Sequence, residues 1–425
     1  MREMKDSGIE WIGAIPRAWK INTVAQLFLQ VKCKNTGLQE KNLLSLSYGK
    51  VKRKSIDTVE GLLPESFDGY NIIEKNDIVL RLTDLQNDHT SLRVGLAEER
   101  GIITSAYLTI RNRSNFCPKY LYYYLHSFDI AKGFYGMGAG VRQGLNWDGV
   151  KWLKILAPSV LEQERIAAFL DAECAEIDTV LEKTRASIEE YKKLKQAVIT
   201  QAVTKGVRGD RPMKDSGIEW IGEIPAEWDK DKVIRVFSVI GSGTTPKSSD
   251  ENLFGGSIHW IQSGDINGNR LVATKNCVSD STLASYSALK VYRAPYLVVA
   301  MYGASIGNLS LSTIDACVNQ ACCVLKSPVN DLKFSFYIFK AAKNHLVRKA
   351  IGGGQPNISQ ETIKQLWIPI PPIDEQIKIG SYLDEKCNAL DDLIARKQQH
   401  LTEIENYKKS LIYEYVTGKK EVHPL

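Results

Sequence analysis

Two stretches of the sequence come near to known catalytic motifs, and the first is GSGTTPKS at residues 241–248. It resembles the phosphate-binding loop G-x-x-x-x-G-K-S, whose backbone amides surround the phosphates of a nucleotide before a helix begins. Pro246 stands where that loop requires its second glycine, and the residues after Ser248 show no helical periodicity. We therefore expect no nucleotide hydrolysis at this stretch.

The second stretch is FYGMG at residues 134–138, which fits the loose F-x-G-x-G pattern of methyl-donor loops in adenine methyltransferases. Such an enzyme also needs an Asn or Asp followed by two prolines and an aromatic residue, because the extruded base stacks on an aromatic ring. The Pro-Pro pair at 371–372 lies between Ile370 and Ile373, so the sequence lacks that motif. FYGMG is therefore predicted to be a glycine-rich connection.

Other catalytic patterns are missing from the sequence. It contains no HExxH motif, no GxSxG motif and no convincing nuclease cluster, and its six histidines are dispersed. The eight cysteines include no pair of C-x-x-C motifs, so no zinc site is predicted, and reduced thiols fit a cytoplasmic protein. We expect a chain that is not an enzyme and holds no metal or cofactor of its own.

The composition is that of a globular protein, with 44% apolar and 24% charged residues in 425. No apolar run reaches the roughly 18 residues of a membrane span, and the charged N-terminus lacks the apolar segment of a signal peptide. The net charge of +6 permits a polyanionic partner without requiring one.

Polar and basic residues cluster in SLSYGKVKRK (45–54), RLTDLQND (81–88) and WIQSGDINGNR (260–270). Arginine pairs with guanine edges and asparagine or glutamine with adenine edges, while lysine holds phosphates. For any single residue a solvated loop remains the alternative. The candidate DNA-binding residues are Ser47, Tyr48, Lys50, Lys52, Arg53, Arg81, Thr83, Gln86, Asn87, Arg142, Thr244, Thr245, Lys247, Gln262, Ser263, Asn267, Asn269, Arg270 and Tyr302.

The sequence also repeats itself. MKDSGIEWIGAIPRAW, from Met4 to Trp19, returns as MKDSGIEWIGEIPAEW from Met213, with thirteen of sixteen positions identical. A second matched pair begins at Asn146 and Ser359 and continues to the end of each copy. The chain is therefore two copies of a unit of about 210 residues, in which a similar frame surrounds two unlike inserts.

Each copy ends in a segment with the spacing of a long helix. After Pro158 and again after Pro372, apolar residues recur at alternating steps of four and three, which predicts two helices that pair in a coiled coil. We expect antiparallel pairing, with parallel pairing as the alternative. The predicted seam residues are Leu170, Ile177, Leu181, Ile188 and Val198 in the first helix and Leu383, Leu390, Ile394, Leu401 and Leu411 in the second.

Polar residues interrupt the seam at matched heights, with Thr184 matching Lys397 and Lys195 matching Lys408. Such residues either fix the register of the two helices or mark solvated ends of the seam.

Strand and helix patterns in the inserts predict a mixed α/β fold. The predicted strands are 76–82, 106–111, 257–262, 296–302 and 321–326, and the predicted helices are 117–129 and 332–350.

These patterns predict the domain organisation of the chain. It consists of a first domain at 1–157, a helical spacer at 158–204, a linker at 205–212, a second domain at 213–370, a second spacer at 371–418 and a tail at 419–425. The doubled opening phrase contributes Trp11, Ile12, Ile15, Pro16 and Trp19, an apolar strap that we expect to pack near the end of the second helix.

The whole chain resembles the specificity (S) subunits of type I restriction–modification systems. The doubled KDSGIEWIG-x-IP phrase carries this resemblance, together with the helix starts PSVLEQERI and PPIDEQIKI. Further marks are WIQSGDING, AMYGASIG, NQACC and GGGQPNIS in the second copy and LLSLSYGK, RLTDLQND and RGIITSAY in the first.

The resemblance implies that each insert is a target recognition domain for one half of a split double-stranded DNA site. It also implies that the helices form an antiparallel coiled coil that sets the half-site spacing. Two modification (M) subunits, which carry S-adenosylmethionine and methylate adenine, would dock on the chain. Restriction (R) subunits would supply ATP- and Mg-dependent translocation and cleavage. The rival hypotheses are a self-sufficient adenine methyltransferase and a coiled-coil assembly scaffold without DNA reading.

Overall fold

The computed structural model describes residues 2–55, 66–137, 144–268, 270–303, 305–350 and 357–422. Its helices and strands are intermixed along the chain, which confirms the predicted α/β class. The chain forms two compact units, which are Met1–Arg185 with Gln399–Leu425 (unit 1) and Ala186–Gln398 (unit 2). The division falls inside both long helices, whereas the predicted boundaries separate the helices from the globular domains.

The two long helices begin and end within about two residues of the predicted spacers. The first long helix is Val160–Lys205 and the second is Ile373–Val416. Each starts directly after the segment that contains Pro158 or Pro372, since the fixed φ of proline suits the entrance to a helix.

The helical segments within each unit run antiparallel. In unit 1, Asp178 pairs with Lys408 at 2.5 Å, and seven residues further along the first helix Arg185 pairs with Glu405 at 2.6 Å. In unit 2, Lys195 lies 2.6 Å from Asp391. Residue numbers rise along one helix while those of their partners fall along the other within unit 1. The predicted antiparallel orientation is confirmed, and the parallel alternative is wrong.

The predicted seam residues are buried or half-buried. Five of the ten apolar seam residues have at most 6% of their surface exposed: Leu170, Leu181, Ile188, Leu383 and Leu411. Ile177 is 9% exposed, and Val198, Leu390, Ile394 and Leu401 are half-buried. Lys195 and Lys408 lie in the seam as half-buried cations, each paired with an aspartate of the other helix.

The globular part of unit 1 contains a four-stranded antiparallel sheet. Its strands lie in the order Phe28–Gln30, Leu108–Asn112, Ile78–Leu80 and Val94–Leu96. The helix Pro118–Ile130 buries its tyrosines and leucines in the core of the unit. Two-stranded antiparallel pairs complete the unit: Met4–Asp6 with Ala14–Pro16, Lys20–Thr23 with Lys154–Ala157, Leu44–Ser47 with Lys50–Arg53, and Asn71–Ile73 with Gly101–Ile103. Short helices are Val24–Leu27 and Trp147–Val150.

Unit 2 contains a five-stranded sheet in the order Val239–Gly241, Cys322–Lys326, Tyr296–Ala300, Leu309–Ser312 and Arg270–Leu271. A three-stranded sheet has the order Asn276–Val278, Phe254–Ile261 and Ala316–Val318. The helix Leu332–Arg348 packs against the larger sheet. Two antiparallel strand pairs complete the strands: Met213–Asp215 with Glu223–Pro225, and Asp229–Lys232 with Trp367–Ile370. The short α-helices are Val233–Val236, Asp280–Ser285 and Gln360–Lys364. The 3₁₀ turns are Glu251–Leu253 and Ser263–Asp265.

The apolar strap packs on the end of the second long helix, as the sequence predicted. The hydroxyl of Tyr413 donates to the carbonyl oxygens of Trp11 and Ile12 at 3.2 and 3.3 Å. Gly418 follows that helix with φ +72°, and a Cβ atom there would lie 2.5 Å from Pro16. The close approach of the strap therefore needs a glycine both for its backbone angle and for space.

A buried glutamine fixes each long helix to its own globular domain. Gln163 accepts from the backbone N–H of Cys117 at 2.9 Å, and its amide donates to the carbonyl of Pro158. In unit 2, Gln376 accepts from the N–H of Asp331 and donates to the carbonyl of Pro371, both at 2.9 Å. Cys117 and Asp331 are the N-caps of the domain helices. One side chain therefore joins the starts of two helices in each unit.

We expect the substitution Gln376→Met to lower the free energy of unfolding by about 2–5 kcal/mol. Methionine keeps the volume, but the N–H of Asp331 and the carbonyl of Pro371 each lose a partner, at about 1–3 kcal/mol apiece. Chemical denaturation followed by circular dichroism measures the change. The matched control is Gln399→Met, whose side chain is exposed and should change the stability by less than about 0.5 kcal/mol. Equal stability of the two variants would contradict this role for Gln376.

Candidate nucleic-acid interface

A tight hairpin in unit 1 carries the first group of candidate residues. Tyr48 and Gly49 form its turn with φ angles of +49° and +74°, as a two-residue hairpin loop requires. The side chain of Tyr48 is 88% exposed. Arg53 is held by Glu99, with its Nε 2.6 Å from the carboxylate. The hairpin therefore offers an exposed aromatic ring beside cations, and Arg53 already has an acidic partner.

Lys50 and Lys52 follow the same turn and line a groove beside the long helices of unit 1. The ammonium of Lys50 lies 3.5 Å from Asp178. Ser47 is half-buried at the end of the first hairpin strand. These residues lie together in space, as their sequence spacing predicts.

The second group lies on a loop that begins at Arg81. Thr83, Gln86 and Asn87 are exposed on it, and the amide of Asn87 donates to Asp84 at 2.7 Å. The guanidinium of Arg81 lies 3.6 Å from the carboxylate of Asp88. The structure thus brings three uncharged hydrogen-bonding side chains together on one surface, with the arginine tied to an acid of the same loop.

This loop is organised by Arg93, a residue that the sequence analysis missed. The side chain of Arg93 is fully buried. Its Nη1 donates to the carbonyl oxygens of Arg81 and Thr83 at 3.0 and 2.8 Å, and its Nη2 donates to the carbonyl of Asp88. Its Nε donates to the hydroxyl of Tyr135 at 3.0 Å. The two terminal nitrogens of one guanidinium therefore satisfy the inward-facing carbonyls of the loop, while its Nε holds Tyr135.

Two carboxylates complete the base of the loop. Asp129 accepts from the backbone N–H of Arg93 at 2.6 Å, and burial raises the pKa of its carboxyl to about 6 against the effect of that hydrogen bond. Hydrogen bonds from Ser91 hold the pKa of Asp88 far below its usual value, so this carboxylate stays ionised. A negative charge is thereby kept beside the guanidinium groups of the loop.

The candidate residues of unit 2 gather after the strand Phe254–Ile261. The side-chain oxygen of Gln262 accepts from the amide of Asn276 at 2.7 Å. Asp265 accepts from the backbone N–H of Gln262 at 2.9 Å, which closes the turn that contains Ser263. Asn267 and Arg270 are exposed beyond that turn. Gln262 and Ser263 are half-buried, so the exposed polar groups lie mainly at Asn267 and Arg270.

The other candidates of unit 2 lie on separate segments. Thr245 donates to the side chain of Gln320, and the backbone N–H of Lys247 donates to the hydroxyl of Tyr286 at 3.1 Å. Thr244 is half-buried. Tyr302 is half-buried and packs against the hydrophobic core. Arg142 and Asn269 lie outside the described residues.

The stretches that resemble catalytic motifs do not have the required geometry where the structure describes them. Residues 242–247 have no regular structure, and a 3₁₀ turn and a strand follow them instead of the helix that a phosphate-binding loop precedes. FYGM at 134–137 forms turns after the helix Pro118–Ile130. In the described part of the chain, no group of three or more His, Cys, Asp or Glu side chains could hold a metal ion.

No described helix is both long enough and apolar enough to cross a membrane.

Comparison with known proteins connects this architecture to a class. The family of type I restriction modification DNA specificity domains matches residues 225–406. The chain is 25% identical to the putative type I restriction enzyme MjaX specificity subunit of Methanocaldococcus jannaschii, across 97% of this chain and 96% of that protein. It is 23% identical to the MjaVIII specificity subunit of the same organism, across 97% of this chain and 95% of that protein.

Solved structures share the fold. A chain from a structural study of complex assembly and conformational transition of the type I R-M system superposes with a TM-score of 0.74 at 16% identity, covering 96% of this chain and 99% of that one. The HsdS subunit from Thermoanaerobacter tengcongensis gives a TM-score of 0.50 at 16% identity, covering 96% of this chain and 98% of that one.

The fold and the matches define a protein with an α/β domain and antiparallel long-helix segments in each of two units, in which residues 225–406 match the family of DNA specificity domains. Over nearly its whole length the chain is similar to specificity subunits of type I restriction enzymes, as its sequence resemblance predicted.

We expect Arg93→Lys to loosen the loop at residues 81–91 while leaving the rest of unit 1 folded. A lysine cannot satisfy carbonyls in several directions at once, and each lost bond to a charged donor costs about 1.5–3 kcal/mol. Hydrogen exchange of the loop amides should become at least roughly tenfold faster, since about 1.4 kcal/mol is a factor of ten.

Mass spectrometry of deuterium uptake measures this change. The control is Arg113→Lys, whose side chain is exposed and donates to the carbonyl of Ala25. Unchanged uptake at residues 81–91 in the Arg93 variant would rule out the organising role.

Proposed function

We propose that this chain is the DNA sequence-specificity subunit of a type I restriction–modification complex. Each globular domain reads one half of a bipartite double-stranded DNA site. The observation that carries the proposal is a similar helical frame that holds two unlike inserts, each with exposed polar loops. A frame that repeats suits identical partner subunits, while inserts that differ suit two different half-sites.

The long helices have two roles in this proposal. They dock two modification subunits, which bring S-adenosylmethionine for adenine methylation, and they set the spacing between the half-sites. Restriction subunits join the complex and use ATP and Mg for translocation and cleavage. The chain itself recognises DNA and performs no chemistry, and it acts in the cytoplasm.

In this proposal two surfaces of unit 1 have different roles, one contacting base edges and the other contacting phosphates. The surface at Thr83, Gln86 and Asn87 offers uncharged donors and acceptors, which suit base edges in the major groove. The cations at Lys50 and Lys52 suit phosphate oxygens, which position a protein without reading sequence. In unit 2, Asn267 and Arg270 combine an amide and a guanidinium on one exposed segment.

The first test is a methylome of methylation-free cells that express this chain with its modification subunit. We expect a methylated adenine motif made of two defined blocks separated by a fixed nonspecific gap. Methylation of one continuous site would contradict the two-reader proposal. Absence of methylation, with the same modification subunit active on another specificity chain, would favour an assembly scaffold without DNA reading.

A second test addresses the spacing role of the helices. Inserting one heptad into both long helices at matched heights should lengthen the gap by about three base pairs, since seven residues add about 10 Å. The methylome again measures the gap. In the control, one heptad of each helix is replaced by another, so the length of the helix stays the same. A gap that stays constant in the lengthened variant would show that the helices do not set it.

A further inference from the structure

A basic groove in unit 2 lies where the domain helix meets the long helices. It has a volume of about 410 Å³ and continues into a second hollow that shares Lys195, Gly268, Lys340 and Asp391. Its cations come from distant parts of the sequence. They are Lys195, Arg270, Lys333, Lys340 and Lys343, and they face the two carboxylates Asp384 and Asp391.

The two carboxylates are already engaged. Asp391 pairs with Lys195 at 2.6 Å, and Asp384 pairs with Lys333 at 2.6 Å. Asp384 also accepts from the hydroxyl of Tyr337 at 2.9 Å. Among the residues that the structure describes, no carboxylate lies within 4 Å of the other three cations. The groove therefore has a surplus of positive charge.

Lys340 is a half-buried lysine of this groove. Burial lowers the pKa of its ammonium, and the nearby charge of Lys195 lowers it further. The ring of Phe336, 4.6 Å from the ammonium, gives partial compensation. The ammonium of Lys343 donates to the side chain of Asn308 at 2.8 Å. An anion in the groove would relieve the repulsion between these cations.

The corresponding groove of unit 1 has the same frame with a different charge. Tyr123 donates to Asp171 at 2.9 Å, as Tyr337 does to Asp384, and Lys408 pairs with Asp178, as Lys195 does with Asp391. His126 occupies the place of Lys340. Burial lowers the pKa of this histidine to about 4, so it is neutral at pH 7.

The acids of the unit 1 groove are also more numerous. Its lysines are Lys50, Lys52, Lys119 and Lys408, and its carboxylates are Glu98, Asp171 and Asp178. The unit 1 groove thus has four cations and three acids, and the first hollow of unit 2 has four cations and two acids, to which the adjoining hollow adds Lys343. The frame itself does not require the larger surplus, because unit 1 builds it with a smaller one. The extra cations of unit 2 therefore point to a ligand.

We propose that the unit 2 groove binds consecutive phosphates of the DNA strand next to the half-site read by that unit. The inference rests on the proposed function. The location supports DNA over a free anion, because Arg270 and Gly268 line the groove and belong to the segment with the exposed Asn267. A duplex that contacts that segment brings its backbone to the groove.

The test is DNA affinity of the assembled modification complex as a function of salt. The slope of log K against log salt is negative, and each phosphate contact adds about 0.9 to its magnitude. Lys340→Met with Lys343→Met should lower the magnitude of this slope by about 1–2 and weaken binding to any DNA sequence, with the methylated motif unchanged. The single variant Lys343→Gln, which removes one charge at the groove, should lower it by about 1. The control is Lys290→Met, an exposed lysine outside the groove, which should leave the slope as it is.

The outcomes separate this inference from the proposed function. Variants that keep the wild-type slope, in a complex that binds its site, would overturn the groove alone. A wild-type complex without sequence-selective DNA binding would overturn both. Binding of inorganic phosphate by the same variants is measured alongside. If the variants no longer bound phosphate but kept the wild-type salt dependence of DNA binding, the groove would bind a free anion and the proposal would be wrong.

Discussion

The bond between a buried glutamine and the start of the domain helix is the interaction on which each unit depends. Gln163 and Gln376 connect the N-cap of a domain helix to the first turn of a long helix. Because each amide satisfies one backbone donor and one backbone acceptor, removing it leaves two buried polar groups without partners. The orientation of each globular domain on its own helical segment follows from this contact.

The seam of the long helices adds register to this orientation. Lys195 and Lys408 occupy seam positions and pair with Asp391 and Asp178. Such half-exposed ion pairs contribute little net stability, but a slipped register would leave each lysine without its partner. Of the two interpretations that the sequence left open for these lysines, the structure favours the fixing of register. The same lysines line the grooves, so the charges that pair across the long helices also contribute to the charge of the groove surface.

The frame and the inserts follow different physical rules. Frame contacts recur in both units with the same residue types, as in the tyrosine–aspartate bonds of Tyr123 with Asp171 and Tyr337 with Asp384. The inserts share no sheet order, with a four-stranded antiparallel sheet in unit 1 and a five-stranded sheet in unit 2. A constant frame with variable inserts lets the surfaces diverge without disturbing the packing. Arg93 illustrates this, since it organises a loop of unit 1 alone.

The sequence by itself determined the repeat, the two long helices and the resemblance to specificity subunits, because periodic apolar residues and repeated phrases are local signals. It placed exposed polar residues on loops but not their partners, so the pairing of Arg53 with Glu99 and of Arg81 with Asp88 went unforeseen. Only the tertiary structure revealed Arg93 as the centre of its loop and the charge surplus of the unit 2 groove. The physical reason is distance along the chain: Lys195 and Asp391 stand 196 residues apart, and no local pattern marks a contact that folding alone creates.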